Sequence, residues 1–158
     1  MTDLTHIDSH GNAIMVDVSN KDRTERIASA MGSIYMLPKT LTLIKSQNIK
    51  KGNVLSIAQL AGIMATKRTS ELIPLCHPLS LTSVKLELTI DAKRSAIDIM
   101  STCKLIGQTG VEMEALTAVS VAALTVYDMC KAVDRGMQIT DVRLVHKAGG
   151  KSGVFEAK

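Results

Sequence analysis

The sequence of 158 residues contains few aromatic side chains, with no Trp, one Phe and two Tyr. Proteins that bind single-stranded nucleic acids usually stack the bases on aromatic rings, so this scarcity argues against a nucleic acid as the partner. The formal net charge of +4 nevertheless indicates an anionic partner. A phosphorylated small molecule fits both observations.

Cysteine is also scarce. The three cysteines, Cys76, Cys103 and Cys130, are an odd number and include no C-x-x-C pair. Neither a disulfide framework nor the ligand spacing of a zinc site follows from them. We therefore expect a reducing cytoplasmic location and no resident metal.

A long hydrophobic run is missing as well. The longest uncharged stretches, Asn53–Thr66 and Ala115–Tyr127, are shorter than the roughly 18 residues that suggest a membrane span. The first residues show no basic region followed by an apolar one, so we expect no signal peptide. We expect a soluble protein without a membrane partner, folded as a single domain over residues 1–158. Residues 1–24 and 148–158 are expected to be partly flexible.

Alternation of apolar and polar residues predicts a β-hairpin, in which Val84–Ile90 and Ile97–Leu105 are joined by a polar turn. A strand over Arg26–Tyr35 is predicted before it. Between these strands, Pro38 opens a short helix, because proline is tolerated in the first helical turn. Asn53 is expected to cap a second helix.

A long helix is predicted after the hairpin. Thr109 and Glu112 have the spacing of a capping box, in which the two side chains satisfy each other's backbone donors. The helix should continue to about Val133. Its middle, Ala115–Tyr127, carries no charge and is therefore expected to be buried on all sides.

A final strand over about Ile139–His146 completes the pattern, with Val142 and Leu144 on one face and Arg143 and Lys147 on the other. The order βαββαβ predicts a ferredoxin-like α+β fold, with an antiparallel sheet and helices packed on one face. A sheet with one covered face and a wholly apolar central helix indicates a homo-oligomer.

Asp128 and Lys131 form the first candidate for catalysis. They lie three residues apart near the end of the long helix, so their side chains share a face. A partly buried Asp–Lys pair can give and take protons, because burial and mutual attraction shift both pKa values. An ordinary surface ion pair is an equally good interpretation of the local sequence.

Two other groups could line a binding site. Cys76 and His77 lie in a loop with Pro74 and Pro78, which could present the imidazole to a ligand or be a purely structural turn. The segment Glu112–Glu114 opens the long helix, where carboxylates are also favoured by the helix dipole alone.

Basic residues occur in small groups at the ends of the predicted elements, beside Gly or Pro loops. Such positions suit a phosphate site, and a triphosphate needs several cations. A solvated surface would also explain them. The residues are Arg26, Lys50, Lys51, Lys67, Arg68, Lys147 and Lys151.

Helix geometry constrains how these groups can act together. At 1.5 Å per residue, Glu114 and Asp128 are about 21 Å apart along one straight helix. A ligand the size of GTP could hardly touch both in one chain. If both serve one site, that site is shared between subunits.

Several short motifs follow one another in order over nearly the whole chain. They are Lys51-Gly52, Ala65-x-Lys67-Arg68-Thr69, Leu72 to Pro78, Gly107-x-Thr109 to Thr117, Tyr127 to Lys131, and Gly149 to Gly153, with Leu4-Thr5-His6 and Met15 to Ser19 at the start. The ordered set is far more specific than any single motif, and it closely resembles the cyclic pyranopterin monophosphate synthase family of molybdenum cofactor synthesis.

The resemblance implies an enzyme, a lyase that converts cyclised dihydro-GTP to cyclic pyranopterin monophosphate and releases pyrophosphate. It implies a hexamer built as a trimer of dimers, and no required cofactor, although Mg²⁺ could accompany the triphosphate. It assigns the acid–base steps to Asp128, Lys131 and Lys51. The substrate-binding residues it implies are Leu75, Cys76, His77, Glu112, Met113 and Glu114, with Arg26, Lys67 and Lys147 as candidates for the triphosphate.

Two rival functions remain open at this point. A non-catalytic module that binds phosphorylated pterins or nucleotides would need the basic residues but not Asp128 and Lys131. A basic nucleic-acid-binding domain would show strongly salt-dependent affinity for DNA or RNA, but the scarcity of aromatic residues argues against it.

Overall fold

The computed structural model describes residues 4–46 and 53–158. Its elements follow the predicted order, with two short additions. They are β1 (Thr24–Tyr35), α1 (Pro38–Lys45), α2 (Val54–Thr66), α3 (Thr69–Leu72), β2 (Ser83–Asp91), β3 (Ala96–Gly107), α4 (Glu112–Cys130), β4 (Gln138–Ala148) and β5 (Phe155–Glu156). The sequence did not predict α3 or β5.

The strands form one antiparallel sheet in the order β2-β3-β1-β4-β5. The first four strands have the order of a ferredoxin-like fold, and α2 and α4 pack together on one face of the sheet. The predicted α+β fold class is therefore confirmed. The short β5 pairs with the end of β4, where Lys147 lies opposite Phe155.

The two faces of the sheet differ as the alternation predicted. Leu86, Ile97 and Ile99 are buried beneath the helices, and full burial of such a side chain stabilises the fold by about 1.5–3 kcal/mol. Polar pairs cross the other face, where Ser33 donates a hydrogen bond of 2.7 Å to the Asp98 carboxylate. The core therefore lies between the sheet and the α2–α4 layer.

Small side chains let α4 approach the sheet and α2 closely. Ala115, Ala118 and Ala122 are fully buried. The prediction that the helix is buried on all sides is nevertheless wrong, because Leu124 is 56% exposed and Ser120 is partly exposed. The uncharged middle of α4 thus includes a stripe that no described part of the chain covers.

By length and hydropathy, α4 would also qualify as a membrane span, but 56% of the qualifying window is buried inside the protein. The core helix of a globular domain passes the same test.

The start and end of α4 also differ from the prediction. Val111 is the N-cap residue, and no side chain caps the helix, so the capping box between Thr109 and Glu112 is not formed. The Glu112 side chain is instead drawn across to β4. The helix ends at Cys130, three residues before Val133, and a turn follows.

A β-bulge changes the direction of one predicted site residue. Ser29 pairs with His146 and Ala30 pairs with Leu144, which leaves Val145 without a partner on β1. The extra residue shifts the alternation, so Lys147 faces the helix layer as Leu144 does. The prediction that Lys147 lies on the opposite face from Leu144 is therefore wrong.

The close contact of α2 with α4 and the sheet can be tested at Gly62. A Cβ there would lie 2.3 Å from Leu86 Cδ2 and 2.8 Å from the Ala118 carbonyl oxygen. We expect Gly62→Ala to lower the free energy of unfolding by about 1–3 kcal/mol, although Ala alone favours a helix by about 0.5–1 kcal/mol. Urea unfolding measures the change. Gly136→Ala is the control, since its nearest atom lies at 3.5 Å; equal stability of the two variants would contradict the packing described.

Candidate active site

A cavity of about 610 Å³ lies between the start of α4 and the end of β4. Four of its lining residues are cationic and two, Asp22 and Glu112, are acidic, and this excess of positive charge makes the cavity suitable for a polyanion. We call it the basic cavity. Its lining residues are Lys21, Asp22, Thr24, Arg26, Gln108, Thr109, Gly110, Glu112, Lys147, Gly150, Lys151 and Ser152.

Arg26 forms the floor of this cavity and is only 8% exposed. Its guanidinium donates hydrogen bonds of 3.1–3.2 Å to the carbonyl oxygens of Gly107, Gln108 and Gly149. Among the ion pairs of the described residues, none involves Arg26. Its charge is therefore held in place by neutral carbonyl groups at the cavity wall.

The backbone after β4 is shaped by this arginine. Gly149 and Gly150 have φ values of +104° and +73°, which favour glycine. A Cβ at Gly150 would lie 1.5 Å from Arg26 Nη1. The two glycines thus let the chain pass directly over the guanidinium and bring Lys151 to the cavity.

Lys147 is held by an ion pair across the cavity. Its Nζ lies 3.0 Å from Glu112 Oε1 and donates a hydrogen bond of 2.9 Å to Ser152 Oγ. Both members of the ion pair are about one-quarter exposed, so the pair is partly shielded from water. The bulge in β4 produces this contact by turning Lys147 toward α4.

A second cavity, of about 260 Å³, adjoins the first. Six of its fourteen lining residues have apolar or thiol side chains, and the others include two carboxyl groups and two imidazoles. We call it the apolar cavity to distinguish it from the basic one. Its lining residues are Thr5, His6, Val16, Val18, Lys21, Leu75, Cys76, His77, Leu79, Thr109, Gly110, Glu112, Met113 and Glu114.

Glu114 dominates the electrostatics of the apolar cavity. It is 3% exposed, and burial raises the pKa of its carboxyl to about 7, with a smaller contribution from Glu112. Burial and the nearby Glu114 charge in turn raise the pKa of the Cys76 thiol and bring that of Cys103 to about 12. Both thiols are therefore poor nucleophiles near neutral pH, whereas Glu114 can change its protonation state there.

The loop that contains His77 is tied to the N-terminal segment. His77 Nε2 donates a hydrogen bond of 2.8 Å to the Val16 carbonyl, which fixes the ring plane at the cavity wall. The Cys76 amide donates to the Ile73 carbonyl at 3.1 Å. These two hydrogen bonds hold the loop and the His77 ring in place.

Four residues, Lys21, Thr109, Gly110 and Glu112, line both cavities. The two cavities therefore meet at a junction formed by the loop before α4 and the N-terminal segment. Eight of the predicted substrate-binding residues line one cavity or both, and they come from four separate parts of the chain. They are Arg26, Leu75, Cys76, His77, Glu112, Met113, Glu114 and Lys147.

The remaining predicted residues lie elsewhere. Asp128 and Lys131 form an ion pair of 2.6 Å with side chains 62% and 53% exposed, at the end of α4 about 21 Å from Glu114. Lys67 lines a third cavity beside Leu79 and β2. Lys51 lies outside the described residues. Within the described part of one chain, Asp128 and Lys131 therefore do not reach the two cavities.

Sequence reasoning missed the contribution of the N-terminal segment. Val16, Val18 and Lys21 line the apolar cavity, although their segment was expected to be partly flexible. The sequence signal that could have identified this segment was the motif Met15 to Ser19.

Among the described residues, no three His, Cys, Asp or Glu side chains group in a way that could hold a metal ion.

A cationic cavity joined to one with a buried carboxyl group defines a protein that binds a phosphorylated small molecule. The chain belongs to the MoaC family, whose model matches residues 15–150. The resemblance inferred from the motifs is thereby confirmed.

Curated relatives match over nearly their whole length. A protein of Rhodospirillum rubrum is 64% identical over 154 residues, covering 98% of this chain and 93% of the relative. One of Dinoroseobacter shibae is 60% identical over 158 residues, with both chains fully covered. One of Thermoanaerobacter sp. is 59% identical over 153 residues, or 97% of each chain. All three carry the name cyclic pyranopterin monophosphate synthase.

The raised pKa of Glu114 predicts how stability depends on pH. Between its ordinary value of 4.5 and about 7, the folded protein binds the proton more tightly than the unfolded chain, so wild-type stability falls as pH rises through this window. Glu114→Gln stays neutral throughout this range. Its free energy of unfolding, relative to that of wild type, should therefore rise by on the order of 1–3 kcal/mol from pH 4.5 to pH 8.

Urea unfolding at several pH values measures this difference, with the exposed Glu87→Gln as control. A stability difference for Glu114→Gln that is the same at pH 5 and pH 8 would contradict the buried-carboxyl account.

Proposed function

We propose that this protein is a cyclic pyranopterin monophosphate synthase. It is a lyase that converts cyclised dihydro-GTP to cyclic pyranopterin monophosphate with release of pyrophosphate, an early step of molybdenum cofactor synthesis. The observation that carries the proposal is the junction of the basic and apolar cavities, because this substrate has one strongly anionic end and one flat, mostly uncharged ring system. The names of the family's curated members support the same reaction.

The two ends of the substrate suit the two cavities. The purine-derived ring would lie among Leu75, Cys76, His77 and Met113, with its amino and amide N–H groups toward Glu114. A carboxylate accepts two such parallel donors well. The triphosphate would then extend into the basic cavity. We propose no contact for Lys67, which lines a different cavity.

Release of pyrophosphate places specific demands on the basic cavity. A sugar hydroxyl oxygen attacks the α-phosphorus, the bond from that phosphorus to the bridging oxygen breaks, and the bridging oxygen leaves with pyrophosphate. Negative charge grows on the leaving group, so fixed cations around it lower the barrier. We propose that Arg26, Lys147 and Lys151, which line the basic cavity, supply these cations.

The ring rearrangement needs proton transfers, which we assign to Asp128 and Lys131 together with Lys51. A second copy of the chain would bring them to the cavities. Two features support this arrangement. Asp128 and Lys131 continue the exposed stripe of Leu124 along α4, and Leu60 on the adjacent α2 is 62% exposed.

An apolar stripe next to a catalytic pair is well suited to a subunit contact. We propose that the assembly is a homo-oligomer, with a hexamer built as a trimer of dimers as the expected form and an active site shared between subunits.

The proposed chemistry involves no change of oxidation state, and the cations of the basic cavity supply the charge stabilisation. We therefore propose that no resident cofactor is needed and that Mg²⁺, where present, arrives with the triphosphate. A cytoplasmic location remains a prediction.

The reaction itself is tested by supplying cyclised dihydro-GTP and following pyrophosphate release. We expect wild type to release one pyrophosphate per substrate and Lys131→Ala to be slower by about 100-fold or more, since general acid–base catalysis contributes about 10²–10⁴-fold. Lys93→Ala, in the exposed hairpin turn, is the matched control. Absence of pyrophosphate release by wild type, with and without Mg²⁺, would favour the non-catalytic binding module, and equal rates for Lys131→Ala would remove its role.

The shared site is tested by mixing two inactive variants, Glu114→Ala and Asp128→Ala. If each site takes Glu114 from one chain and Asp128 from its partner, equal and random mixing restores about a quarter of the sites. Each variant mixed with itself should stay inactive. Failure to recover activity after verified subunit exchange would contradict a shared site.

A further inference from the structure

The N-terminal segment Val16–Lys21 is anchored to both sides of the site. His77 donates a hydrogen bond of 2.8 Å to the Val16 carbonyl. Gln108 Nε2 donates to the carbonyls of Ser19 at 3.2 Å and of Lys21 at 3.0 Å. The first anchor lies in the loop after α3 and the second in the loop before α4, so the segment spans the wall where the cavities meet.

The segment also has internal hydrogen bonds that fix its backbone. Asp17 Oδ1 accepts hydrogen bonds from the Ser19 amide at 2.9 Å and from the Ser19 hydroxyl. The Lys21 amide donates to the Val18 carbonyl at 2.9 Å. Gln108 holds the Lys21 carbonyl, so both backbone polar groups of Lys21 are hydrogen-bonded. The backbone position from which the Lys21 side chain extends is therefore fixed.

The charges at the junction distinguish Lys21 from its neighbours. Of the four described residues that line both cavities, Lys21 is the only cation, and Glu112 is the only anion. Glu112 is paired with Lys147. No ion pair among the described residues involves Lys21. The positive charge available at the junction is therefore that of Lys21.

We propose that Lys21 binds the phosphate nearest the ring, the α-phosphate, and that Gln108 is the positioning residue that holds Lys21 there. The proposal rests on the proposed function. A substrate with its ring in the apolar cavity and its triphosphate in the basic cavity must place the α-phosphate at the junction. Because pyrophosphate leaves from this phosphorus, an ammonium group there stabilises the charge that develops as the bond breaks.

Lys21→Gln tests the contact, with Lys93→Gln as a control of equal charge change. A hydrogen bond to a charged group contributes about 1.5–3 kcal/mol, so kcat/KM for pyrophosphate release should fall about 10-fold to 100-fold. Lys21→Arg should recover part of the loss. The proposal is overturned if Lys21→Gln keeps the wild-type kcat/KM, or if Lys93→Gln loses as much, which would indicate a general effect of net charge.

The role of Gln108 is tested by a double-mutant cycle. Gln108→Ala should lower kcat/KM, and adding Lys21→Gln should cause little further loss, because the two residues act through one contact. Fully additive losses would overturn the positioning role.

A binding measurement separates this proposal from the reaction. Inorganic triphosphate, titrated calorimetrically, should bind Lys21→Gln about 10-fold more weakly than wild type or Lys93→Gln. If wild type releases no pyrophosphate yet shows this loss, the proposed reaction fails while Lys21 remains an anion ligand. Equal triphosphate affinity in all three proteins would overturn the role of Lys21.

Discussion

The long helix α4 packs directly against the sheet and against α2. Its small buried residues, Ala115, Ala118 and Ala122, let the helix lie close to β1 and β3. A helix held in this way is a straight, fixed connection between its two ends. Glu114 is therefore kept about 21 Å from Asp128. A small-molecule site that uses both ends cannot be completed within one chain.

Backbone irregularities in and after β4 shape the electrostatics near the N-terminal end of α4. The bulge at Val145 turns Lys147 toward Glu112, and the positive φ values of Gly149 and Gly150 let the chain pass over Arg26. Regular strand geometry would place Lys147 on the opposite face of the sheet. Two of the four cations of the cavity, Lys147 and Lys151, thus reach it through local departures from regular structure, as is common beside functional sites.

Local sequence patterns predicted the elements well because each pattern reports a nearby interaction. Alternation gave the β2–β3 hairpin, and the predicted cap of α2 is formed, with the Asn53 side chain accepting a hydrogen bond of 3.0 Å from the Ser56 amide. The capping box failed because Lys147, 35 residues away, competes for the Glu112 carboxylate. Local patterns cannot report such a contact.

Contacts between residues far apart in sequence also explain why the role of the N-terminal segment at the site was not predicted. Gln108 and Lys21 are 87 residues apart in sequence, and His77 and Val16 are 61 apart, so no window of sequence contains either contact. The motifs named the residues of the apolar cavity, but only the fold shows that the N-terminal segment forms part of its wall. The exposed stripe on α4 could not be predicted either, because the sequence of an uncharged helix does not indicate which side is covered by the rest of the protein.

A crystal structure of the assembly with a substrate analogue, in which a methylene group replaces the α–β bridging oxygen, would show whether the site is shared. We expect the analogue's ring beside Glu114, its phosphates on Arg26 and Lys147, and the Asp128–Lys131 pair of a second copy within hydrogen-bonding distance of the ligand. A bound analogue with every Asp128–Lys131 pair facing open solvent, away from any other chain, would contradict a shared site.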